Sequence, residues 1–187
     1  MLHYVDYHDA TAEGTGGVWF SQTDNMPPFV WREQFPCDIE ADVITDDNPA
    51  GGITNLDLEL AAEVLTIGVI LESAPKVKHA PLGTLCDNTP TVSWVKKMVS
   101  KASTPTAGRL LRDRAFMLHC HHADPLITVH VPGMDNVMAD IASRPTKAQK
   151  LFHCPTALTD FAFCLYLLLP SRSQMTSSGH LHPAHFG

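Results

Sequence analysis

The chain of 187 residues lacks the features of a membrane protein or of a disulfide-rich secreted protein. Its five cysteines are odd in number and contain no C-x-x-C pair, which argues against a disulfide framework. The apolar run at residues 161–169 is nine residues long, well below the roughly 18 to 20 that span a bilayer. Residues 1–10 have neither the basic nor the apolar region of a signal peptide. We therefore expect an intracellular protein, cytoplasmic or nuclear, without a membrane partner.

Basic residues are scarce in the first part of the chain and frequent in the next part. Residues 1–72 hold one basic residue, Arg32, against fourteen Asp and Glu, whereas residues 73–150 hold eleven Lys and Arg against five Asp. The formal net charge of -7 therefore conceals a basic segment. Such a segment fits a nucleic-acid partner, and an ordinary solvated pair of helices fits it equally well. The lysines that we assign to a nucleic-acid backbone are Lys96, Lys97 and Lys101.

Breaker residues divide the chain into short elements of an α/β protein. Aromatic and β-branched runs predict strands at residues 4–11, 18–20 and 29–32, followed by an acidic loop at residues 38–52. Periodicity and capping signals then predict a helix that begins with an N-cap at Asn55 and ends at Pro75, followed by a strand at 82–86. Two helices are predicted next, at about 89–101 and 104–122, and then a strand at 127–131. The last predicted helix contains Asn136 and Asp140 and ends at Pro145. The element order is β-β-β-α-β-α-α-β-α.

Four acidic residues stand where these elements should meet. Asp9 lies on the first predicted strand, Asp87 directly follows the strand at 82–86, and Glu59 and Asp140 lie on helices. If the two strands are parallel neighbours, Asp9 and Asp87 lie side by side. Converging carboxylates repel one another unless cations neutralise them, and hard cations such as Mg²⁺ take oxygen ligands. The pattern therefore predicts a metal site.

Two further acids compete with these assignments. Asp6 also lies on the first strand, but three residues separate it from Asp9, so the two side chains point to opposite faces. Asp57 lies two residues before Glu59 and is better explained as a carboxylate in the first helical turn, where the helix dipole favours it. The helix position therefore favours Glu59 over Asp57, whereas the alternation along the strand does not by itself decide between Asp6 and Asp9.

The order of these motifs resembles the ribonuclease H domain of a retroelement reverse transcriptase. The shared pattern is a strand Asp, T-N-x3-E-L-x-A at residues 54–62, a second strand Asp, and H-x5-N-x3-D at residues 130–140. The resemblance covers about residues 4–150, so we expect a domain at 1–150 and a linker or disordered tail at 151–187. It implies a ribonuclease H-like fold with a five-stranded mixed sheet flanked by helices. It also implies hydrolysis of the RNA strand of RNA-DNA hybrids by a two-metal mechanism.

The resemblance also implies a role for individual residues. Asp9, Glu59, Asp87 and Asp140 hold two Mg²⁺ ions, with Mn²⁺ as a possible substitute, and His130 assists as an accessory catalytic residue. One ion activates water and the other stabilises the leaving 3′-oxygen, which yields 5′-phosphate and 3′-hydroxyl ends. The residues assigned to the hybrid are Thr54, which contacts a DNA phosphate, Asn55, which contacts the RNA 2′-hydroxyl, and Asn136.

A function without catalysis is the alternative. No Tyr-x-Asp-Asp polymerase signature occurs in the chain, so the polymerase portion of a reverse transcriptase would be a separate partner. A decayed or connecting module of a retroelement polyprotein would bind hybrid without cutting it. The presence of all four acids favours the enzyme.

Overall fold

Five strands and five α-helices make up the part of the chain that the structure, a computed structural model, describes: residues 2–23, 25–74, 79–99, 105–123 and 127–144. The strands are β1 (Tyr4–Ala10), β2 (Gly14–Ser21), β3 (Phe29–Gln34), β4 (Leu82–Cys86) and β5 (Ile127–His130). The helices are α1 (Cys37–Asp42), α2 (Asn55–Ser73), α3 (Thr89–Lys97), α4 (Pro105–Cys120) and α5 (Val137–Ser143), and a 3-10 turn spans Gly133–Asp135. Within these ranges, no helix is both long and apolar enough to cross a bilayer.

The strands form one mixed sheet in the order β3-β2-β1-β4-β5. The pairs β1-β2 and β2-β3 are antiparallel, and the pairs β1-β4 and β4-β5 are parallel. Tyr7 of β1 pairs with Leu85 of β4, so Asp9 and Asp87, each two residues further along, lie at the same end of this strand pair. The predicted five-stranded mixed sheet with flanking helices is confirmed.

Helix α2 runs through the centre of the core. All of its residues from Asp57 to Leu71 are buried, because it packs against both the sheet and α4. Its first turn is fixed by a capping box: the Thr54 side chain accepts from the Asp57 N–H, and the Asp57 carboxylate accepts from the Thr54 N–H. The predicted N-cap at Asn55 was therefore wrong, since Thr54 caps the helix and Asn55 is its first residue. The interpretation of Asp57 as a first-turn carboxylate is confirmed.

The predicted loop at residues 38–52 was wrong in its first part, where α1 forms. Pro36 occupies the position before this helix, and Ile39 is buried in the core. Asp38 and Glu40 lie in the first turn, where negative charge interacts favourably with the helix dipole. The sequence predicts a loop here because a helix of this length buries too few residues to show a periodic pattern.

Helix α3 ends at Lys97, earlier than predicted. Met98 follows in the left-handed conformation, with φ 52°, and its N–H bonds to the carbonyls of Trp94 and Val95. Val99, two residues after the helix, is 62% exposed. Lys101 and residues 145–187, including the predicted linker or tail, lie outside the described residues.

Helix α5 lies directly against β2 at Gly16. A Cβ atom at Gly16 would be 2.6 Å from the carbonyl carbon of Ala142, which is backbone and cannot move unless the helix moves. Gly16 is also the register partner of Asp9. The missing side chain therefore determines how closely α5, which carries Asp140, approaches Asp9.

We expect Gly16→Ala to lower the free energy of unfolding by about 1 to 3 kcal/mol, the usual cost of extra volume at a closely packed position. Gly52→Ala is the matched control, because its Cβ would meet the flexible end of the Asp42 side chain at 2.9 Å. Urea denaturation of both variants measures the difference. Equal stability of the two variants would show that α5 can move away from β2 without cost.

Candidate active site

The carboxylate of Asp9 is positioned by α5. The Ser143 hydroxyl donates to Asp9 Oδ2 at 2.7 Å and lies 3.1 Å from the Asp140 carbonyl oxygen. Burial raises the pKa of Asp9, its hydrogen bond from Ser143 lowers it, and the charges of Asp87 and Asp140 raise it again. Asp9 therefore lies close enough to both of these acids for their charges to repel.

Glu59 reaches the same place from α2. The residue is 4% exposed, and its Oε2 atom has no hydrogen-bond partner among the described residues. Burial is the main cause that raises the pKa of Glu59 to about 8, with further contributions from Asp9 and Asp87 and an opposing one from His8. A backbone hydrogen bond with Ala10 lowers this pKa in part. A buried carboxylate with one oxygen unpaired is costly as an anion, so a proton or a cation on Glu59 would reduce that cost.

Asp87 follows β4 and completes a compact group with its neighbours. Ligand atoms of Glu59, Cys86 and Asp87 all lie within 4.8 Å of one another, an arrangement that could hold a metal ion. A Cβ atom at Gly133 would lie 3.1 Å from Asp87 Oδ2. Glycine at that position therefore leaves space beside the carboxylate.

Asp140 occupies the exposed side of the cluster. Arg144, one turn later, donates from Nε to Asp140 Oδ1 at 2.8 Å. The charge of Asp140 raises the pKa of Asp9, so the two side chains are near one another. The structure thus brings together the four acids that the sequence singled out, whereas the rival Asp6 lies elsewhere.

His130 lies at the exposed edge of the site. It is the last residue of β5, and its Nε2 lies 3.2 Å from the Asp87 carbonyl oxygen. Asn136 instead lies in the interior, 1% exposed, and its side-chain amide donates to the His8 carbonyl oxygen at 3.0 Å. Asn136 precedes α5 and is not part of it, contrary to the prediction. Its burial also disagrees with the predicted contact to substrate, and the observed bond gives it a structural role.

The other predicted substrate residues have different degrees of exposure. Asn55 is exposed at the start of α2, and Lys96 and Lys97 are exposed in the last turn of α3. Thr54 is half-buried, and its hydroxyl donates to Asp57 Oδ2 at 2.7 Å. The Thr54 hydroxyl is therefore already engaged within the helix cap.

A buried ionic network beneath the acids was not predicted from the sequence. His8 Nδ1 lies 3.1 Å from Asp6 Oδ2, and His8 Nε2 lies 3.5 Å from Glu63 Oε2. Arg114 Nε donates to Glu63 Oε1 at 3.1 Å, and the Thr128 hydroxyl donates to the same oxygen at 3.2 Å. The available signals were the spacing of Asp6 and His8 on one face of β1 and the presence of Glu63 within the apolar stretch of α2 at residues 60–65.

The charge of His8 follows from this network. Burial alone lowers the pKa of a histidine, but the hydrogen bonds with Asp6 and Cys86 and the charge of Glu63 raise the pKa of His8 well above 6.5. The surroundings of His8 therefore favour its charged form between two carboxyl groups. Its charge also opposes the rise in the pKa of Glu59.

No protein-family profile matches the chain, and no curated protein matches it. Solved structures do match. LC11-RNase H1, isolated from compost by a metagenomic approach, superposes with a TM-score of 0.53 at 18% identity over 75% of this chain and 91% of that chain. The structure of LC11-RNase H1 in complex with an RNA/DNA hybrid gives the same TM-score and identity over 74% and 92%. RNase H1 from the halophilic archaeon Halobacterium salinarum gives 0.51 at 14% identity over 75% and 92%. The chain therefore has the ribonuclease H fold.

Proposed function

We propose that the chain is a metal-dependent ribonuclease H that hydrolyses the RNA strand of RNA-DNA hybrids. The observation that carries this proposal is the convergence of Asp9, Glu59, Asp87 and Asp140 at one end of the sheet. The shared fold supports it, since LC11-RNase H1 has been solved on an RNA/DNA hybrid. Like charges at such short range are costly unless a bound cation neutralises them.

The residues present fit divalent cations. Glu59 Oε2 is a buried oxygen without a partner among the described residues, and Asp87 offers an oxygen within 4.8 Å of the Glu59 ligand atom. We propose that Asp9, Glu59, Asp87 and Asp140 hold two Mg²⁺ ions, with Mn²⁺ as a substitute. When bound, the ions supply a more acidic water for attack on phosphorus and charge stabilisation at the leaving oxygen.

The surrounding side chains orient these ligands. Ser143 fixes one oxygen of Asp9, and Arg144 fixes one oxygen of Asp140. His130, exposed and close to the Asp87 backbone, is proposed to move protons or to assist product release. Because Asp9 and Asp140 are held through the same short helix, a shift of α5 alters both at once.

The hybrid would lie across the start of α2 and the end of α3. Asn55 is exposed at the first position of the helix that carries Glu59, so we propose that it contacts the RNA 2′-hydroxyl. Lys96 and Lys97 would contact the phosphate backbone. Thr54 is proposed to contact a DNA phosphate only weakly, because its hydroxyl proton is engaged with Asp57. The polymerase portion of a reverse transcriptase is the partner that we propose.

The proposal is tested with duplexes of one sequence in which each strand is labelled in turn. We expect cleavage of the RNA strand in the RNA-DNA hybrid when Mg²⁺ is present, and none with excess EDTA. Double-stranded DNA should remain intact. Binding of the hybrid without cleavage in either Mg²⁺ or Mn²⁺ would instead establish the non-catalytic alternative.

His130→Ala should slow turnover without abolishing it. Proton transfer by a positioned side chain typically contributes about 10² to 10⁴-fold, and we expect an accessory group to contribute less. Comparing single-turnover with steady-state rates separates the two proposed roles, because a defect confined to the steady state indicates product release. Unchanged rates in both regimes would remove His130 from the mechanism.

Asn55→Ala should reduce the preference for RNA-DNA over DNA-DNA duplexes and leave the salt dependence of binding nearly unchanged. The reason is that Asn55 is neutral and offers a donor and an acceptor to the 2′-hydroxyl. Lys96→Ala with Lys97→Ala is the matched comparison, since each lost phosphate contact should reduce the slope of log K against log salt by about 1 for any duplex. An unaltered preference in Asn55→Ala would contradict the assignment.

A further inference from the structure

A thiol group lies inside the carboxylate cluster. Cys86 is the last residue of β4 and is completely buried. Its Sγ belongs to the group of ligand atoms, within 4.8 Å of one another, that also includes a carboxylate oxygen of Glu59 and one of Asp87. The Asn88 N–H donates to this sulfur at 3.3 Å, which holds it in place at the end of the strand.

Glu59 supplies a second and independent indication of a ligand. Its side chain is buried, and its Oε2 has no hydrogen-bond partner among the described residues although it lies in a strongly polar site. Zinc bonds to sulfur at about 2.3 Å and to carboxylate oxygen at about 2.0 to 2.2 Å. Ligand atoms already within 4.8 Å of one another need only small side-chain movements to share one ion.

We propose that Glu59, Cys86 and Asp87 form a mixed sulfur and oxygen site that binds thiophilic divalent cations such as Zn²⁺, Cd²⁺ and Co²⁺. Thiolate ligands favour these softer ions, whereas Mg²⁺ takes oxygen ligands. Such an ion would share Glu59 and Asp87 with the Mg²⁺ site and would exclude Mg²⁺ from it. This competition rests on the proposed function, but the ligand set itself does not.

The state of the thiol separates the two classes of ion. A coordinated ion that bonds strongly to sulfur removes the proton to solvent. Mg²⁺ does not bond strongly to sulfur, so it leaves Cys86 protonated and uses the oxygen ligands alone.

The test uses the full chain with Cys86 as its single cysteine, in the variant Cys37→Ser, Cys120→Ser, Cys154→Ser and Cys164→Ser. Titration with Co²⁺ should produce a near-ultraviolet sulfur-to-cobalt charge-transfer band that saturates at one equivalent. Adding Cys86→Ser should eliminate the band, and adding Glu59→Gln should weaken Co²⁺ binding by at least about tenfold, which is 1.4 kcal/mol. Adding Asp46→Asn, a change at an exposed loop acid, should leave the band unaltered.

Absence of the band in the single-cysteine chain, or its persistence after Cys86→Ser, would overturn the proposal. If the Cys86→Ser variant does not fold, X-ray absorption of Cd²⁺ bound to the single-cysteine chain decides, since a coordination shell without sulfur also overturns it. Hybrid cleavage in Mg²⁺ is measured separately on the parent chain. A band without cleavage would refute the proposed function alone, and cleavage without a band would refute the sulfur site alone.

Discussion

Asp87→Asn is expected to lower the single-turnover rate of RNA hydrolysis by at least about a thousandfold, since a weakened metal site loses several kcal/mol of transition-state stabilisation. Asp87 lies next to Glu59, and its charge raises the pKa of both Glu59 and Asp9. The amide keeps the shape of the side chain and removes its charge. The same substitution therefore relieves repulsion, and the melting temperature of the metal-free protein should be equal or higher.

Asp46→Asn is the control for this variant, because it makes the same chemical change at an exposed loop position. Cleavage of labelled hybrid and thermal melting in EDTA are measured on both proteins. If Asp87→Asn cuts hybrid at the parent rate, Asp87 is not a ligand of the catalytic metal. If the variant is inactive because it is unfolded, the melting curve shows this directly.

Glu59→Gln should stabilise the metal-free protein at alkaline pH and change its pH dependence. The pKa of Glu59 is raised from 4.5 to about 8 in the folded chain, mainly by burial. A group with a raised folded pKa contributes stability that is fully present below its unfolded pKa and is lost as pH rises through the folded value. The parent should therefore lose stability between about pH 4.5 and pH 8 to 9, by on the order of a few kcal/mol. Glutamine does not titrate, so the variant avoids this loss.

The measurement is urea denaturation of parent and Glu59→Gln in EDTA across that pH range. The difference in the free energy of unfolding should grow with pH in favour of the variant. The pKa of Asp9 is also raised, and its charge acts on Glu59, so the difference between the two proteins reports Glu59 together with its interaction with Asp9. Mg²⁺ should reduce the pH dependence of the parent's free energy of unfolding, because a bound cation neutralises the carboxylate. Parallel curves for the two proteins would mean that the pKa of Glu59 is not raised in the folded chain.

The sequence predicted the sheet well because each strand is a local signal. Residues 82–86 are apolar between breakers, and the strand at Tyr4–Ala10 has its own aromatic and β-branched run. Helix ends were less predictable. The start of α2 depends on the side-chain hydrogen bonds of its cap at Thr54, and the end of α3 depends on the left-handed backbone of Met98. The short helix α1 was missed for a related reason, since Ile39 alone anchors it in the core.

The site was predictable in its acids and not in its surroundings. Asp9, Glu59, Asp87 and Asp140 belong to a motif pattern that can be read along the chain. Ser143 donates a hydrogen bond to Asp9, which lies 134 residues earlier in the chain, and Arg114 donates one to Glu63, which lies 51 residues earlier. No local sequence pattern indicates pairs that are so far apart. Asn136 shows the opposite error, because its place in a motif suggested a substrate contact whereas the fold buries its side chain.

We propose that four acids from β1, α2, α5 and the end of β4 act as one catalytic site. The decisive measurement is the single-turnover rate of RNA cleavage for Asp9→Asn, Glu59→Gln and Asp140→Asn, each measured at saturating protein in Mg²⁺ beside Asp46→Asn. We predict that all three lose at least about a thousandfold in rate, since each removes a ligand of the same metal site, while Asp46→Asn keeps the parent rate. A parent-like rate in any of the three would contradict the account.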